Sequence, residues 1–401
     1  MVVRGFRNRV DGVARWVAAG AVVAGAALSA TAGVGAAAAA PTPDVQSQQA
    51  PAVGPGATAT GLASDDVRCH RLEPDADLSG CDLRGFGDNL VKANLAGANL
   101  TGATLSKMNL RGIILFDATL KDAKLDGADL NRALMRNTDL TGAVLTGTDF
   151  TDADLTGANL TGADLHTVGL AGTKLYHAKL ERADLNHVPL RGWDFTGTDL
   201  TGANLADADL TAAKLHEAVL NQANLEATNL GYADLTGANL VGAHLSRAGL
   251  DHANASGADL TKADLTIATL PGTILDHANL DHAILYYTKL PAANLTGANL
   301  ADANLVKAMA PNVIMRGAVL KQANLRYANL GYADLTKANL TGANLTEVTL
   351  DHGHADEAIL VGANLTGANG GDVTMVNADL SGTIWYDGHT CATQGSIGRC
   401  G

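Results

Sequence analysis

The chain has 401 residues, with 28 Lys and Arg against 41 Asp and Glu and a formal net charge of −13 at pH 7. This acidic balance argues against binding to nucleic acid or to an anionic membrane, because both need a positive protein surface. The imbalance grows if the N-terminal segment is removed. Residues 1–40 contain four Arg and one Asp, so the remaining chain has 24 basic and 40 acidic residues and a net charge of −16.

The first 40 residues have the composition of a secretory signal peptide. An apolar run from Trp16 to about Ala40 ends in small residues, and it follows Arg4, Arg7, Arg9 and Arg15. A basic segment, an apolar segment and a small-residue end are the three parts of such a signal. We therefore expect cleavage between Ala32 and Ala40 and an extracytoplasmic location, either secreted or in the cell envelope. An uncleaved membrane anchor is the alternative, because the run is about long enough to span a bilayer.

Two short segments follow the predicted signal. Residues 41–66 are rich in Pro, Ala, Gly, Thr and Gln, which predicts a flexible linker, because this composition cannot bury a core. Residues 67–89 predict an N-terminal cap. Leu78 and Leu83 are five residues apart, but Leu90 comes seven residues after Leu83, two more than the period requires. We expect Gly85-Phe86-Gly87 to absorb this shift of two residues.

From Leu90 to Trp385 every fifth residue is Leu or a substitute for Leu, through 60 consecutive units in one register. If the Leu position is i, position i−2 is nearly always small, i−1 is mostly Asp or Asn, and i+1 and i+2 often read Thr-Gly. Trp193 is an exception at i−2. We expect this large side chain to force the surrounding wall of the repeat structure outward or to point its indole to the edge of that wall. The residues that replace Leu include Met135, Phe150, Phe195, Ala255, Ala310, Met315, Ala355 and Met375.

A period of five residues excludes the two simplest structures. Five residues advance about 500° around a helix, so the Leu side chains would form no stripe. An odd period would also send alternate Leu residues to opposite faces of a flat strand. The period instead predicts three extended residues and a two-residue turn in each unit, repeated as a solenoid. Leu and the small residue then fill a packed interior, and polar residues face outward.

Proline spacing indicates the size of one coil. Pro271, Pro291 and Pro311 all lie at i+1, and each is four units from the next. A coil of four units would stack them on one corner, where a missing N–H has little effect. The 60 units then make about 15 coils, and at about 4.8 Å per coil the rod is about 70 Å long.

These units resemble the pentapeptide-repeat family, whose members fold as a right-handed quadrilateral β-helix. The resemblance covers residues 90–385 and implies an all-β solenoid of that cross-section and handedness. Some members of the family, which confer fluoroquinolone resistance, are acidic mimics of DNA that inhibit gyrase. The present chain differs from them in its predicted export signal, its lack of loop insertions and its Cys-containing end.

Four cysteines flank the repeats and predict two disulfides. Cys69 and Cys81 precede the rod, whereas Cys391 and Cys400 follow it. Pairings that cross the rod would have to join ends about 70 Å apart, far beyond the reach of a disulfide. We therefore expect Cys69–Cys81 and Cys391–Cys400 to staple the two ends, with residues 386–401 as a C-terminal cap. Such staples suit an exported protein, and the tail resembles the tails of exported bacterial proteins.

A longer internal repeat supplies the candidate surface residues. The segment 218–255 resembles the segment 318–355, which lies five predicted coils further along. In a coil of four units Tyr232 lies beside His252 and Asp251, and the copied residues are Tyr332, His352 and Asp351. These six residues are either two recognition patches or ordinary surface residues copied by duplication. A further column predicts a cation–π stack of Tyr287, Lys307 and Tyr327.

No reactive constellation is evident in the sequence. No histidine is four units from another, so the coils hold no His ladder, and the usual phosphate-loop and hydrolase motifs are absent. We expect no catalytic site, no metal and no cofactor. The sequence predicts an exported, monomeric, non-catalytic scaffold that binds a protein or a cell-envelope component. The alternative is a DNA-mimic inhibitor of a type II topoisomerase, and an enzyme acting on envelope polymers is a third hypothesis.

Overall fold

The computed structural model describes residues 66–392, together with Gly398 and Cys400. Two short 3-10 helices, Val67–His70 and Arg84–Leu90, precede the repeats. After them, each unit is a two-residue turn followed by three extended residues, of which the middle one forms a parallel bridge. The predicted signal (1–40) and nearly all of the predicted linker (41–66) lie outside the described residues. Within those residues, no helix has the length and apolarity needed to cross a membrane.

Each corner of the rod is a β-turn that needs a left-handed residue at i+2. At the first corner Val91 has φ −62° and ψ 120°, Lys92 has φ 58°, and the Ala93 N–H donates to the Leu90 carbonyl at 3.1 Å. These values are those of a type II turn. The i+2 residue has a positive φ at every corner from Lys92 to Gly382 except that of Thr167, even where it is Lys, Asp, His, Tyr or Ile. Glycine fits this position best, which explains the frequent Thr-Gly pair.

Parallel backbone hydrogen bonds join each coil to the next with a register of four units. The Leu100 N–H donates to the Thr119 carbonyl at 2.7 Å, and the Thr119 N–H donates to the Ala98 carbonyl at 3.0 Å. The same register continues as far as the bridge between Asn364 and Ile384. Four pentapeptides therefore make one coil, as the proline spacing indicates. The total of about 15 coils stays a prediction.

The first coil is longer than the others by two residues. Asp77 bridges Asn99, whereas Asn94 bridges Ile114, and the first of these bridges spans two residues more than the second. The helix Arg84–Leu90, which includes Gly85-Phe86-Gly87, lies within this longer coil. Its Phe86 and Leu90 side chains are buried, so the added segment contributes to the core.

The interior has the composition that the period predicts. Leu side chains at i are buried along the rod, as is Ala at i−2 except at Ala143 and Ala368, and the larger Phe150 and Phe195 also fit inside. Thr replaces Ala at i−2 without leaving a buried hydroxyl unsatisfied, since each Thr donates to the carbonyl of a residue in the preceding coil at 2.7–2.9 Å. These residues are Thr138, Thr148, Thr173, Thr198, Thr228, Thr273, Thr288 and Thr383.

Position i−1 stabilises the outer side of each turn. The Asn99 side-chain oxygen accepts from the Thr101 N–H at 3.2 Å and from the Thr101 hydroxyl at 2.7 Å. Side-chain bonds also connect coils, as where the Asn224 amide donates to Asn204 at 3.0 Å. Asp and Asn are favoured here because a short side chain with an oxygen reaches the following N–H.

Both ends of the rod carry the predicted disulfides. Cys69 is bonded to Cys81 and Cys391 to Cys400, with Cα–Cα distances of 5.6 and 5.0 Å. The pairing predicted from the sequence is therefore confirmed. The boundaries drawn for the caps, 67–89 and 386–401, stay predictions.

We expect Ala227→Gly to raise the free energy of unfolding by about 0.5–1 kcal/mol. Ala227 is exposed and has φ 55°. A left-handed conformation costs a residue with a Cβ about 1–2 kcal/mol, and the added chain entropy of Gly offsets about 0.5–1 kcal/mol of the gain. Urea unfolding followed by circular dichroism measures the change. The matched control is Ala223→Gly in the same unit, where the alanine is buried at i−2 and the change should destabilise the rod. Destabilisation by Ala227→Gly would contradict the strain argument.

Candidate binding surfaces

The predicted pair of Tyr232 and His252 is in contact on an outer corner. Their rings stack with centroids 5.3 Å apart and planes inclined by 26°, and Tyr232 remains 65% exposed. The Tyr232 N–H donates to the Asp251 carbonyl at 2.8 Å, whereas the Asp251 carboxylate has no hydrogen-bond partner among the described residues. The stacked rings form a small aromatic ridge.

The second copy repeats the stack but has different neighbours. Tyr332 and His352 lie 4.8 Å apart with an interplanar angle of 29°. The Asp351 carboxylate accepts from the Gly371 N–H and from the Asn369 amide, both at 2.9 Å. The His352 Nε2 lies 3.8 Å from a carboxylate oxygen of Asp372, at a position that is Gly272 in the first copy. The two patches share their aromatic rings but not their charge.

The predicted stack of Tyr287, Lys307 and Tyr327 forms in part. The Lys307 Nζ lies 4.9 Å from the centre of the Tyr287 ring and donates to the Tyr287 hydroxyl at 2.8 Å. Tyr327 is instead covered by the neighbouring Arg326, whose Cζ lies 4.6 Å from the ring centre. The column therefore holds two separate cation–aromatic pairs.

Two groups of side chains have the spacing of metal ligands, although the sequence predicts no metal. Asp281, His282 and Asp302 have ligand atoms within 4.8 Å of one another, and so do His389, Cys391 and Cys400. The first group is on the outer surface, where carboxylates commonly cluster without an ion. In the second group both sulfurs are already joined in a disulfide. Neither arrangement points to a particular reaction.

The ladder of backbone bridges is interrupted where Trp193 replaces a small residue. Across the described repeats, successive coils are bridged except at Val144–Asp164, Gly169–Pro189 and Lys174–Asp194. The last two gaps lie on either side of the corner that contains Trp193. This indole is only partly buried and stacks on Phe195 with ring centroids 5.9 Å apart. The two missing bridges and the partly buried indole agree with the expectation that Trp193 forces the wall outward or points to the edge.

A groove of about 790 Å³ lies at this interrupted corner. We call it the Trp193 groove. It crosses several coils, because Arg136, Thr156 and Tyr176 are each four units apart and so lie one above another. The groove was not predicted as a site, although Trp193 in the small-residue position was its one signal in the sequence. The side chains that define it are Arg136, Lys174, Tyr176, Arg191, Trp193 and Asp194.

The charges at the Trp193 groove are predominantly positive. The Arg136 Nε donates to the buried Asp154 at 2.8 Å, and the Lys214 Nζ lies 3.4 Å from Asp194. Lys174 and Arg191 form no ion pair with any described residue. Two cations therefore remain available in the groove of an otherwise acidic rod.

Sequence comparison identifies the repeats. The profile of Pentapeptide repeats matches in eight copies, at residues 89–115, 113–152, 148–192, 194–231, 228–266, 268–297, 312–342 and 354–384. The chain belongs to the pentapeptide repeat family. Its fold is the right-handed quadrilateral β-helix that the family resemblance implies. No protein of curated function matches the chain significantly.

Solved pentapeptide repeat structures are similar to parts of the chain. HetL, involved in heterocyst differentiation regulation in the cyanobacterium Nostoc sp. strain PCC 7120, is 31% identical, with 60% of this chain and 91% of HetL covered and a TM-score of 0.38. Rfr23 from the cyanobacterium Cyanothece 51142 is 27% identical, with 29% and 90% covered and a TM-score of 0.22. QnrB1, a plasmid-mediated fluoroquinolone resistance protein, is 16% identical, with 57% and 91% covered and a TM-score of 0.27.

The pair of Arg136 and Asp154 predicts a pH-dependent contribution to stability beside the groove. Burial alone would raise the pKa of Asp154, but hydrogen bonds from the Thr156 hydroxyl and the Arg136 guanidinium outweigh it and hold the pKa below its usual value. A lowered carboxyl pKa stabilises the fold above about pH 4, and this contribution is lost as the pH falls through the folded-state pKa.

We therefore expect Arg136→Gln to lower the free energy of unfolding by about 0.5–1 kcal/mol at pH 7, and by progressively less below about pH 4. Urea unfolding at a series of pH values measures this difference. The matched control is Arg132→Gln, whose partner Asp152 is exposed and 3.6 Å away; its effect should be negligible at every pH. Equal losses from Arg136→Gln at pH 7 and at pH 2.5 would refute the electrostatic cause.

Proposed function

We propose that this pentapeptide repeat protein is exported and acts as a rigid, non-catalytic scaffold that binds a protein or a component of the cell envelope. The disulfides at the two ends carry this proposal. All four cysteines of the chain are paired, and disulfides persist in oxidising compartments but are rare in the cytosol. The basic and apolar composition of residues 1–40 supports the same location.

The surface of the rod supports binding rather than catalysis. Asp and Asn side chains at i−1 are held by hydrogen bonds within the turn and between coils, as at Asn99 and Asn224. Side chains on such a rigid framework lose little freedom on binding, which favours recognition of an equally regular partner. The Tyr232–His252 and Tyr332–His352 stacks stand out from this polar surface, at two places five coils apart.

The first experiment determines the mature N-terminus and the thiol state of native protein from separated cell fractions. We expect protein in the medium or the envelope that begins between residues 33 and 41 and has no free thiols. Mass spectrometry with and without alkylation after denaturation measures both properties in one sample. A Cys69→Ser/Cys81→Ser variant calibrates the signal, since it leaves Cys391–Cys400 as a single disulfide.

Cytosolic protein that retains its first residues and has four free thiols would overturn the proposal. In that case the acidic charge of the rod would favour the DNA-mimic hypothesis. Inhibition of DNA supercoiling at near-stoichiometric concentration would then support an inhibitor of a type II topoisomerase. Turnover of an envelope polymer that is lost in His252→Ala or His352→Ala would instead favour an enzyme.

A further inference from the structure

We propose that the Trp193 groove binds an acidic saccharide, with a sugar ring against Trp193 and its carboxylate between Lys174 and Arg191. This inference deepens the proposed function, because it names a chemical class of envelope ligand for the scaffold. The inference depends on the proposed function only in taking the cell envelope as the source of the ligand. The site itself is argued from the geometry of the groove.

The groove is open because adjacent coils separate at this corner. In the coils directly before and after, the N–H of the residue at i donates to the next coil, from Leu155 to the Lys174 carbonyl at 2.9 Å and from Phe195 to the Lys214 carbonyl at 2.8 Å. Between these two bonds, the equivalent bond from Leu175 to Asp194 is absent from the described structure. The Asp194 N–H likewise has no backbone acceptor there. Polar backbone groups that are paired in the coils directly before and after are therefore available here to a ligand or to water.

The charge of the groove selects an anion. Arg136 is already bound to Asp154, whereas Lys174 and Arg191 are exposed and have no ion-pair partner among the described residues. Hydrogen bonds between a carboxylate and these cations are stronger than neutral ones. Arg191 is near enough to Asp209 to help lower the pKa of that carboxyl, but it forms no direct ion pair among the described residues. Because the rod as a whole is acidic, two exposed cations side by side favour a specific anion over general adhesion to polyanions.

The remaining side chains favour a sugar as the carrier of the carboxylate. Trp193 and Tyr176 provide aromatic surface, against which the apolar face of a sugar ring can pack. Burial alone would raise the pKa of Asp194, but hydrogen bonds from Thr196 and Lys214 hold it below its usual value, so Asp194 is an ionised acceptor for ligand hydroxyls. From Arg136 to Asp194 the groove crosses three coil spacings, about 14 Å, which suits an oligosaccharide better than a single ring.

Isothermal titration calorimetry of the full mature chain with trigalacturonate tests the proposal. We expect saturable binding that weakens at least about tenfold in Lys174→Gln/Arg191→Gln, because each lost charged contact removes on the order of a factor of ten. Both residues are exposed, so the fold should be retained, and circular dichroism verifies this. The matched control is Lys179→Gln/Arg182→Gln, which makes the same charge change at exposed residues outside the groove and should bind as the parent does. Trp193→Phe should keep most of the affinity, because it retains a ring.

Four results would overturn the proposal: no binding of trigalacturonate, equal binding of neutral galactotriose, tighter binding of benzoate, or an equal loss in the control variant. The localisation experiment is independent of this one. Exported protein that fails to bind trigalacturonate would reject the groove assignment alone. Cytosolic protein that binds it would reject export and retain the groove as a saccharide site.

Discussion

The left-handed residue at i+2 is the constraint on which the rest of the rod depends. It turns the chain at each corner and aligns the following three residues with the coil below, as Lys92 does at the first corner. Leu and Ala then point inward and the i−1 side chain points outward. Residues such as Ile267 adopt this conformation with φ 61°, although a β-branched side chain disfavours it. Their strain is tolerated because the hydrogen bonds above and below each turn fix its geometry.

Much of the architecture could be predicted because it depends only on the period. The inward Leu, the small residue at i−2, the register of four units per coil and the pairing of the cysteines within each end follow from spacing along the chain. The Tyr232–His252 contact also follows from the register, since its members occupy one corner in adjacent coils. Side-chain direction does not follow in the same way. The register places Tyr327 beside Lys307, but Arg326 precedes Tyr327 and its guanidinium covers the ring instead.

The Trp193 groove could be predicted only in part. A tryptophan at i−2 signals that the wall cannot close normally, and the missing bridge between Lys174 and Asp194 agrees with that. The size of the opening depends on how far the coils separate, and Arg136 reaches the groove from more than two coils away. Neither quantity is encoded in a period. The local departure from the repeat therefore indicates a binding site more clearly than the regular units do.

The four-sided coil also makes insertions and deletions unequal in their effects. An insertion or deletion of one unit keeps every Leu inside and so leaves the core packing unchanged. All later surface columns, however, would rotate by a quarter turn relative to the earlier ones. A change of four units alters the length and leaves the columns aligned. The internal repeat is offset by five complete coils, so the second Tyr–His stack lies on the same corner as the first. Only the insertion or deletion of whole coils therefore preserves the rotational alignment of distant surface sites.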